Sequence, residues 1–433
     1  MSPIALSALG LGAVLALSAL RMPIALALGL VGAIGTGLLK GWGTFAYVVG
    51  TAPFQSLDNY ALSVIPLFIL MGAFAVNSGL ADTLVQATNS FIGHRRGGLA
   101  MASVAACAGF GAITHSDMAT LTTMTRVTVP EMLRLGYSRK LAAGALAGGA
   151  TLAVLVPPSV PLIIYSYMTQ TSLNKLYTAA IIPALSLLGL HLLAIAIWVR
   201  FSPSIAPISK RASWGDRLMF AYRISGLGVV ILAIMAGIYF GIFSPTEGGA
   251  VGAAGTLALG VLSRQLDWAG IVRSIREAVH FSAIIFLLMI GIQFFHFFLD
   301  SAGLPKFIAA YIRGLDMSPH LVMAAIILVL MLLGTVIESI AILFIATPFL
   351  YPIIIELGFD PIWFGILMMM IIELGLIIPP LGLNVFLLSS MVKEITLEEA
   401  FRGCVPFVLA NIVMIFAVFA FPAIALWLPQ SMR

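Results

Sequence analysis

Two long apolar stretches of the chain are each interrupted by a pair of adjacent prolines. The first is TLAVLVPPSVPLIIYSYMTQTS (Thr151 to Ser172), and the second is LGLIIPPLGLNVFLLSSM (Leu374 to Met391). Each is apolar and long enough to cross a bilayer, but two prolines remove two backbone donors and open the helix. Open backbone at membrane depth is tolerated only where it is buried in protein or lines a watery cavity. Paired broken segments, one in each half of a chain, indicate the binding site of a transporter.

The composition places the whole chain in the membrane. Of its 433 residues, 61% are hydrophobic and 9% are charged, whereas a soluble domain carries about 25% charged residues. Apolar runs long enough to span recur from end to end, so we predict an all-α polytopic membrane protein with no soluble domain. The net charge of +5 is divided among short loops and therefore does not indicate a nucleic-acid partner.

We predict about ten spanning helices and two re-entrant hairpins. The hairpins lie at about 97–129 and 319–351, where small and polar residues interrupt apolar sequence, in GFGAITHSDMAT (Gly109 to Thr120) and GTVIESIA (Gly334 to Ala341). The spanning segments are expected at about 4–20, 23–39, 60–78, 140–170, 176–200, 220–242, 246–263, 279–299, 361–391 and 404–428.

The two halves of the chain repeat each other. Matching residues lie 222 positions apart, in the pairs Pro23 and Pro245, Pro130 and Pro352, Leu135-Gly136 and Leu357-Gly358, and Pro157-Pro158 and Pro379-Pro380. Each half contains five crossings and one hairpin, and because five is odd the second half must run opposite to the first. We therefore predict inverted-topology repeats over 1–200 and 224–433, joined by a linker at 201–223.

The distribution of basic residues predicts the orientation. With the N-terminus outside, the inner loops receive 17 of the 22 Lys and Arg residues, which fits the positive-inside rule. The five outer ones are Lys40, Lys175, Lys306, Arg313 and Arg433. The linker at 201–223 then lies inside, and the first apolar segment is a retained helix because Arg21 follows it. We expect Leu266 to Val279 to form an amphipathic helix on the inner surface.

The tip of the first hairpin offers oxygen ligands for a hard cation such as Na⁺. Gly111 lets the backbone turn and expose carbonyls, and Thr114 and Ser116 add hydroxyls. The alternative is a tight helix contact made by small residues. His115 and Asp117 are ionisable at membrane depth, which suggests a functional role. Alternatively, the two pair with each other at a hairpin end near water.

Three polar residues mark the second half. Glu338 lies in the second tip between mostly apolar neighbours, and Glu373 precedes the second proline pair in the same broken helix. Glu373 either contacts an ion or braces the break. Asn384 follows that break by one turn and offers both a donor and an acceptor.

The remaining histidines do not indicate catalysis. His191, His280 and His296 are isolated in apolar sequence, and we interpret them as buried helix-contact residues. No Ser/His/Asp arrangement, HExxH motif, phosphate loop or metal-binding Cys/His cluster occurs in the sequence. The chain is therefore not expected to be an enzyme or to carry a cofactor.

Ordered motifs recur over nearly the whole chain, in Ile65 to Leu80, Gly109 to Thr120, Gly148 to Ser159, Ser244 to Val251 and Glu373 to Phe386. Together they resemble the large membrane subunit of TRAP transporters, the DctM-like family. The resemblance implies an elevator-type secondary transporter of the bacterial inner membrane that is generally coupled to Na⁺. It also implies two partners, namely a small four-helix membrane subunit and a periplasmic substrate-binding protein that delivers an organic acid.

The resemblance also implies where ions and substrate bind. The first ion site would use Gly111, Thr114, Ser116, Gly149, Thr151 and Pro157, and the second would use Gly334, Thr335, Ser339, Gly375 and Pro379. We expect Ser159, Glu338 and Asn384 to contact the substrate, and His115, Asp117 and Glu373 to contribute to coupling. The first tip departs from the family pattern of small residues because His115 and Asp117 introduce ionisable groups.

Two other functions remain open at this point. A stand-alone ion-coupled carrier of organic anions, driven by Na⁺ or by protons, would use the same inverted-repeat design. An intramembrane enzyme is disfavoured because the sequence contains no catalytic constellation. The substrate itself is not encoded here, since the resemblance assigns most of the selection to the secreted partner.

Overall fold

The computed structural model describes residues 2–208, 211–314 and 317–432, and every regular element in these ranges is helical. Lys210 and Arg433, two of the basic residues counted in predicting the membrane orientation, lie outside these ranges. The helices are α1 (Pro3–Ala19), α2 (Ile24–Lys40), α3 (Trp42–Leu57), α4 (Val64–Asn77), α5 (Leu80–Ile92), α6 (Gly98–Thr114), α7 (Asp117–Arg134), α8 (Arg139–Ala150), α9 (Leu152–Leu155), α10 (Val160–Thr169), α11 (Leu173–Phe201), α12 (Trp214–Tyr239), α13 (Pro245–Leu262), α14 (Trp268–Ser301), α15 (Leu304–Gly314), α16 (Pro319–Gly334), α17 (Ser339–Glu356), α18 (Pro361–Gly375), α19 (Leu383–Met391), α20 (Leu397–Ala420) and α21 (Ala423–Gln430).

The prediction of an all-α polytopic membrane protein is confirmed. Among the described residues, α11, α12, α14, α17 and α20 are individually long and apolar enough to cross a membrane. Two bent pairs of helices are long and apolar enough when each pair is taken as one span: α4 meets α5 at 72°, and α8 and α9 together meet α10 at 42°. The bend between α9 and α10 lies at Pro157-Pro158, as expected because proline cannot continue a helix.

The second half of the structure repeats the helix order of the first. The helical hairpin α6–α7 is matched by α16–α17, the broken helix α8–α10 by α18–α19, and the long helix α11 by α20. Glycines with left-handed backbone end equivalent helices, as at Gly136 (φ 84°) and Gly358 (φ 79°). Only glycine adopts this conformation without penalty, which explains why the sequence match includes them.

Two sequence-based boundaries are wrong. Leu266 to Val279 is not a separate surface helix, because most of it belongs to the single 34-residue helix α14. Ser274 and Glu277 of this segment contact α4, where Ser274 Oγ donates to the Ala73 carbonyl at 3.1 Å and Glu277 Oε2 accepts from Asn77 Nδ2 at 3.0 Å, whereas Arg273 and Arg276 are exposed. The linker is also shorter than 201–223, since α12 already begins at Trp214. Ser213 and Asp216 form a capping box there, which is a helix start signal.

The interpretation of the isolated histidines is right for one of the three. His191 is fully buried, and Asn411 Nδ2 donates to its Nε2 at 3.0 Å, which joins α11 to α20. His280 and His296 lie instead on the exposed face of α14. Apolar flanking sequence does not distinguish a residue that faces the protein interior from one that faces lipid, because both surroundings are apolar.

Glycines set the crossing of α8 and α20. A Cβ added at Gly144 would strike the Gly403 backbone, and one added at Gly403 would strike the Lys140 backbone. The two helices are therefore in backbone contact, as in the small-residue contacts of membrane helices.

This contact gives a stability prediction. Gly403→Ala is expected to lower the free energy of unfolding by about 1–3 kcal/mol, because the added methyl overpacks a backbone contact. The control is Gly189→Ala in α11, where a Cβ meets nothing within 4 Å. That change should be neutral or stabilise by roughly 0.5–1 kcal/mol. Thermal unfolding of both variants in detergent measures the difference, and equal melting temperatures would contradict the close crossing.

The predicted orientation can be tested by labelling. Ser172 and Ser204 are exposed residues at opposite ends of α11. We expect an impermeant maleimide added outside the cell to label Ser172→Cys and not Ser204→Cys, with both labelled after permeabilisation. The native Cys107 and Cys404 are buried, so their background is low. Labelling of Ser204→Cys alone from outside would reverse the orientation.

Candidate ion and substrate site

The first hairpin turns within two residues. Helix α6 ends at Thr114, His115 adopts left-handed backbone (φ 54°), and Ser116 starts α7 as its N-cap. The Ser116 hydroxyl accepts a hydrogen bond from the Ala119 N–H at 3.2 Å. The hairpin therefore turns at His115 and Ser116. The prediction that Gly111 makes the turn is wrong, because Gly111 lies inside α6 and its carbonyl accepts from the His115 N–H at 2.8 Å.

The hydroxyls predicted to hold an ion at the first tip already have partners. Thr114 Oγ1 is 2.7 Å from Thr120 Oγ1, and the two share a hydrogen bond. Thr151 Oγ1 donates to the Gly148 carbonyl at 2.7 Å, within its own helix. These oxygens keep acceptor capacity, but their hydrogen atoms are committed inside the protein.

His115 connects the first tip to the first break. Its Nδ1 lies 2.8 Å from the carbonyl oxygen of Pro158. A carbonyl can only accept, so we assign the proton to Nδ1. The ring is 3% exposed and meets Phe68 edge-on, with centroids 5.3 Å apart. The alternative in which His115 pairs with Asp117 is wrong for the described structure, because His115 Nε2 and Asp117 Oδ2 are both buried without a partner.

The two proline breaks differ in exposure. Pro157, Pro158 and Ser159 are buried, and the Tyr177 hydroxyl donates to the Ser159 carbonyl at 3.4 Å. In contrast, Pro379 and Pro380 are exposed. The first break is therefore enclosed by protein, whereas the second opens onto the surface.

The second tip has the same layout with different side chains. Glu338 occupies the N-cap of α17, and its Oε2 accepts from the Ala341 N–H at 3.2 Å, as Ser116 does in the first half. The Gly382 N–H donates to the Thr335 carbonyl at 3.2 Å, which joins this tip to its break. A backbone hydrogen bond thus joins the tip to its break in the second half, whereas the His115 side chain joins them in the first half.

Glu373 is buried between the second tip and the broken helix. Its side chain is 2% exposed, and its Oε1 accepts from Ser339 Oγ at 2.7 Å. Its Oε2 is buried without a partner. One carboxylate oxygen therefore braces the tip against the break, and the other is free to contact an ion.

The predicted ligand glycines allow the tips to approach the breaks. A Cβ at Gly111 would collide with Ala153 of α9, and a Cβ at Gly375 would lie 2.5 Å from the Gly334 carbonyl carbon. At Gly149 a Cβ would lie 3.2 Å from the side chain of Cys107. The structure thus places all four glycines in helix contacts, which is the alternative that small residues also allowed.

Polar residues from both halves meet between the tips. Asn384 of α19 lies beside the Asp117 carboxylate, although neither amide atom makes a hydrogen bond of good geometry. Asp117 is in turn an electrostatic neighbour of Glu338 and Glu373. We call Asp117, Glu338, Glu373 and Asn384 the inter-tip cluster.

The inter-tip cluster contains three carboxyl groups without a basic partner. The charged groups acting on Glu373 are Asp117 and Glu338, both acidic. The ion pairs of the described ranges lie at helix ends, as between Arg134 and Glu131. No group of three or more His, Cys, Asp or Glu among the described residues is close enough to form a metal centre. Carboxylates in such a place need a cation or a proton that arrives with the transported species.

Sequence reasoning missed three residues that shape the first site. Phe68 packs on the His115 ring, Thr120 bonds Thr114, and Tyr177 binds the Ser159 carbonyl. Phe68 and Tyr177 come from other helices, so no local spacing indicates them. Thr120 lies in the quoted tip motif, but its bond crosses the turn and depends on the tip geometry.

Comparisons with known proteins agree with this architecture. Residues 11–424 match the family described as the tripartite ATP-independent periplasmic transporter, DctM component. The chain is 33% identical over 378 residues to the C4-dicarboxylate TRAP transporter large permease protein DctM of Pseudomonas aeruginosa, covering 87% of this chain and 88% of that protein. It is 30% identical over 376 residues to the sialic acid TRAP transporter large permease protein SiaM of Vibrio cholerae, covering 86% and 87%.

A solved structure has the same fold. The crystal structure of the Alcanivorax borkumensis YdaH transporter, described as having an unusual topology, superposes with a TM-score of 0.64 at 14% identity. The match covers 88% of this chain and 90% of that one. At this identity the likeness concerns the fold alone, and the family assignment comes from the sequence matches. The chain belongs to the DctM family of large permease subunits of tripartite ATP-independent periplasmic transporters.

Proposed function

We propose that this subunit imports an organic acid across the bacterial inner membrane, driven by Na⁺, in an elevator movement of the tips and breaks. A periplasmic binding protein delivers the acid, and a small four-helix membrane subunit completes the assembly. The observation that carries the proposal is the inter-tip cluster, where carboxyl and amide oxygens are buried without hydrogen-bond partners and without a basic partner.

The free oxygens of the cluster support a cation as the co-substrate. Asp117 Oδ2, Glu373 Oε2 and Asn384 Oδ1 are all buried without hydrogen-bond partners. An unpaired carboxylate is costly at this depth, and a hard cation that binds oxygen compensates its charge. Na⁺ would be held by these oxygens only while it is in transit, as a substrate and not as a resident cofactor.

The broken helices support an acid as the substrate. Helices α10 and α19 begin at the two breaks, and neither N-terminus is capped by a side chain. A helix N-terminus carries partial positive charge and free N–H groups, which suit a carboxylate. Half-helices at transporter breaks serve anionic substrates in this way. The named substrates of the two relatives, C4-dicarboxylate and sialic acid, are also acids.

The packing supports movement of the site as one body. The glycine contacts of α6 with α9, α16 with α18, and α8 with α20 join tips, breaks and the long helix α20 closely. Helix α2 packs along α14, and α4 packs against α13, in a layer that contains neither a tip nor a break and that meets the first tip through Phe68 and Gly72 of α4. A rigid block beside such a layer is the arrangement that an elevator movement needs.

Reconstituted vesicles test this function against a stand-alone carrier. Vesicles containing the two membrane subunits receive the purified binding protein loaded with one of a panel of labelled organic acids. We expect uptake when a Na⁺ gradient is imposed without a pH gradient, and none when the binding protein is omitted. Uptake of free acid without that protein would support a stand-alone carrier. Uptake driven by the pH gradient alone, and abolished by Asp117→Asn, would show that the coupling ion is a proton and not Na⁺.

A further inference from the structure

An arginine buried in the first turn of α12 has no counter-charge among the described residues. Arg217 is 4% exposed, and its Nε and Nη2 atoms are buried without a hydrogen-bond partner. Its guanidinium carbon lies over the Trp214 ring, 5.0 Å from the ring centroid. A guanidinium keeps its proton in proteins, so burial cannot neutralise it as it would a histidine. A buried charge of this kind needs an anion.

Other basic side chains lie close to Arg217. Arg211, Arg217 and Arg95 all act electrostatically on His94, which lies in the loop before α6. Burial and these three positive charges lower the pKa of His94, whose Nδ1 is also buried without a partner. We call His94, Arg95, Arg211 and Arg217 the His94 cluster. Its like charges repel each other across the contact between this loop and α12, and a bound anion would remove that repulsion.

A cavity of about 220 Å³ lies between α5 and α12, next to the His94 cluster. Asp216 and Phe220, on either side of Arg217 in the sequence, line it from α12, and Gln86 and Asn89 line it from α5. The Asp216 carboxylate is already engaged, because its Oδ2 accepts from the Ser213 hydroxyl at 2.6 Å. The two amides can donate to a ligand. The cavity thus offers room for a polar headgroup beside the buried guanidinium.

The position of the His94 cluster indicates the chemistry of the anion. The predicted orientation puts the 201–223 segment, and with it the start of α12, at the inner face of the membrane. Trp214 and Tyr222 are exposed there, and such aromatic residues lie at the level of the lipid headgroups. The inner leaflet is anionic, and basic pockets between helices on this side bind headgroup phosphates. The planar fork of a guanidinium also matches the oxygens of a phosphate.

We propose that the His94 cluster binds a phosphate group, supplied by an anionic phospholipid headgroup or by free phosphate. The Nε and Nη2 atoms of Arg217 donate to the phosphate oxygens from the buried side, and the exposed Arg95 and Arg211 contribute positive charge from the aqueous side. The anion then holds the loop before α6 against the start of α12. This site is separate from the inter-tip cluster and does not depend on the coupling ion.

Thermal unfolding of the purified chain in detergent tests the site and its ligand. The melting temperature is measured against the concentration of phosphatidylglycerol, of diacylglycerol, which lacks the phosphate, and of sodium phosphate at constant ionic strength. We expect phosphatidylglycerol or sodium phosphate to raise it, because a ligand that binds the folded state stabilises that state. A response to the lipid alone identifies a headgroup as the ligand, and a response to the salt identifies free phosphate. No response to either, or an equal response to diacylglycerol, would overturn the proposal.

Arg217→Gln should weaken phosphate binding by at least about 30-fold, the effect of removing one partner of a buried charge pair. Its melting temperature without ligand should not fall, because an unpaired buried charge is removed. Arg211→Gln changes an exposed residue that cannot disturb the core, and it should weaken binding about 5-fold. Arg276→Gln is the control, since Arg276 is an exposed arginine of α14, and its affinity should equal that of the wild type.

Two results with these variants would overturn the proposal. The first is an equal loss of affinity in Arg276→Gln and Arg217→Gln, which would show a general response to surface charge. The second is a melting temperature that neither phosphate source changes, together with release of the small membrane subunit by Arg217→Gln. Arg217 would then pair with a carboxylate of that subunit and not with a phosphate.

Discussion

Glu373→Gln is expected to abolish Na⁺-driven uptake while the protein still folds. Glutamine keeps the shape and can still accept from Ser339 Oγ, which is 2.7 Å from Glu373 Oε1. It loses the charge of the buried Oε2, which has no protein partner. Removing one member of a buried charge pair costs about 2–5 kcal/mol, so Na⁺ affinity should fall by about 30-fold to more than 1,000-fold.

The measurement is initial uptake in vesicles against Na⁺ concentration, with melting temperature as the check on folding. Glu131→Gln is the matched control, because Glu131 is also a hairpin glutamate but pairs with the exposed Arg134 at 2.7 Å. It should leave the Na⁺ dependence unchanged. If Glu373→Gln keeps the wild-type Na⁺ dependence, this carboxylate does not contact the ion and only connects the tip to the break.

The second prediction with a large expected effect concerns the break at Pro157-Pro158. Pro157→Ala combined with Pro158→Ala should eliminate transport, because the segment from α8 to α10 can then close into one helix. Each proline disfavours a helix interior by about 3 kcal/mol, so its removal strongly favours closure. Closure would straighten the 42° bend and withdraw the Pro158 carbonyl from His115. The free N-terminus of α10 would also disappear.

Uptake and melting temperature are measured on the same preparation. Pro183→Ala is the control, since Pro183 is likewise buried but lies inside the continuous helix α11. We expect that variant to transport normally. A double alanine variant that folds and transports at the wild-type rate would show that the open backbone at this break is not used.

The breaks and tips could be predicted from sequence because proline and glycine act locally. Pro157-Pro158 forbids a helix whatever surrounds it, and Gly136 or Gly358 ends one for reasons of backbone alone. The contacts that define the site could not be predicted, because they are long-range. The sequence shows Asn384 only as a residue one turn beyond the second break, yet in the structure it lies beside Asp117 of the first tip.

Three helices were not predicted from the sequence for a different reason. Helix α5 (Leu80–Ile92) has 13 residues and several polar side chains, so it is too short and too polar for a hydropathy criterion. The same criterion overlooks α3, which contains Pro53, and the short α15. Such helices are stabilised by packing against their neighbours, and single-segment hydropathy carries no information about those neighbours.

The number of cations that the inter-tip cluster holds would set a limit on accumulation under the Na⁺ coupling proposed above. With one Na⁺ per substrate, the chemical gradient could concentrate a substrate only in proportion to the Na⁺ ratio, about 1.4 kcal/mol for each tenfold; two ions would square that ratio. The charge moved would differ as well. One Na⁺ balances the charge of a monoanion, so the membrane voltage would neither help nor hinder its entry. A dianion would enter with one net negative charge, against about 2.3 kcal/mol for every 100 mV of inside-negative potential. A cluster that held a single Na⁺ would therefore suit the transporter to monovalent acids in cells with a steep sodium gradient.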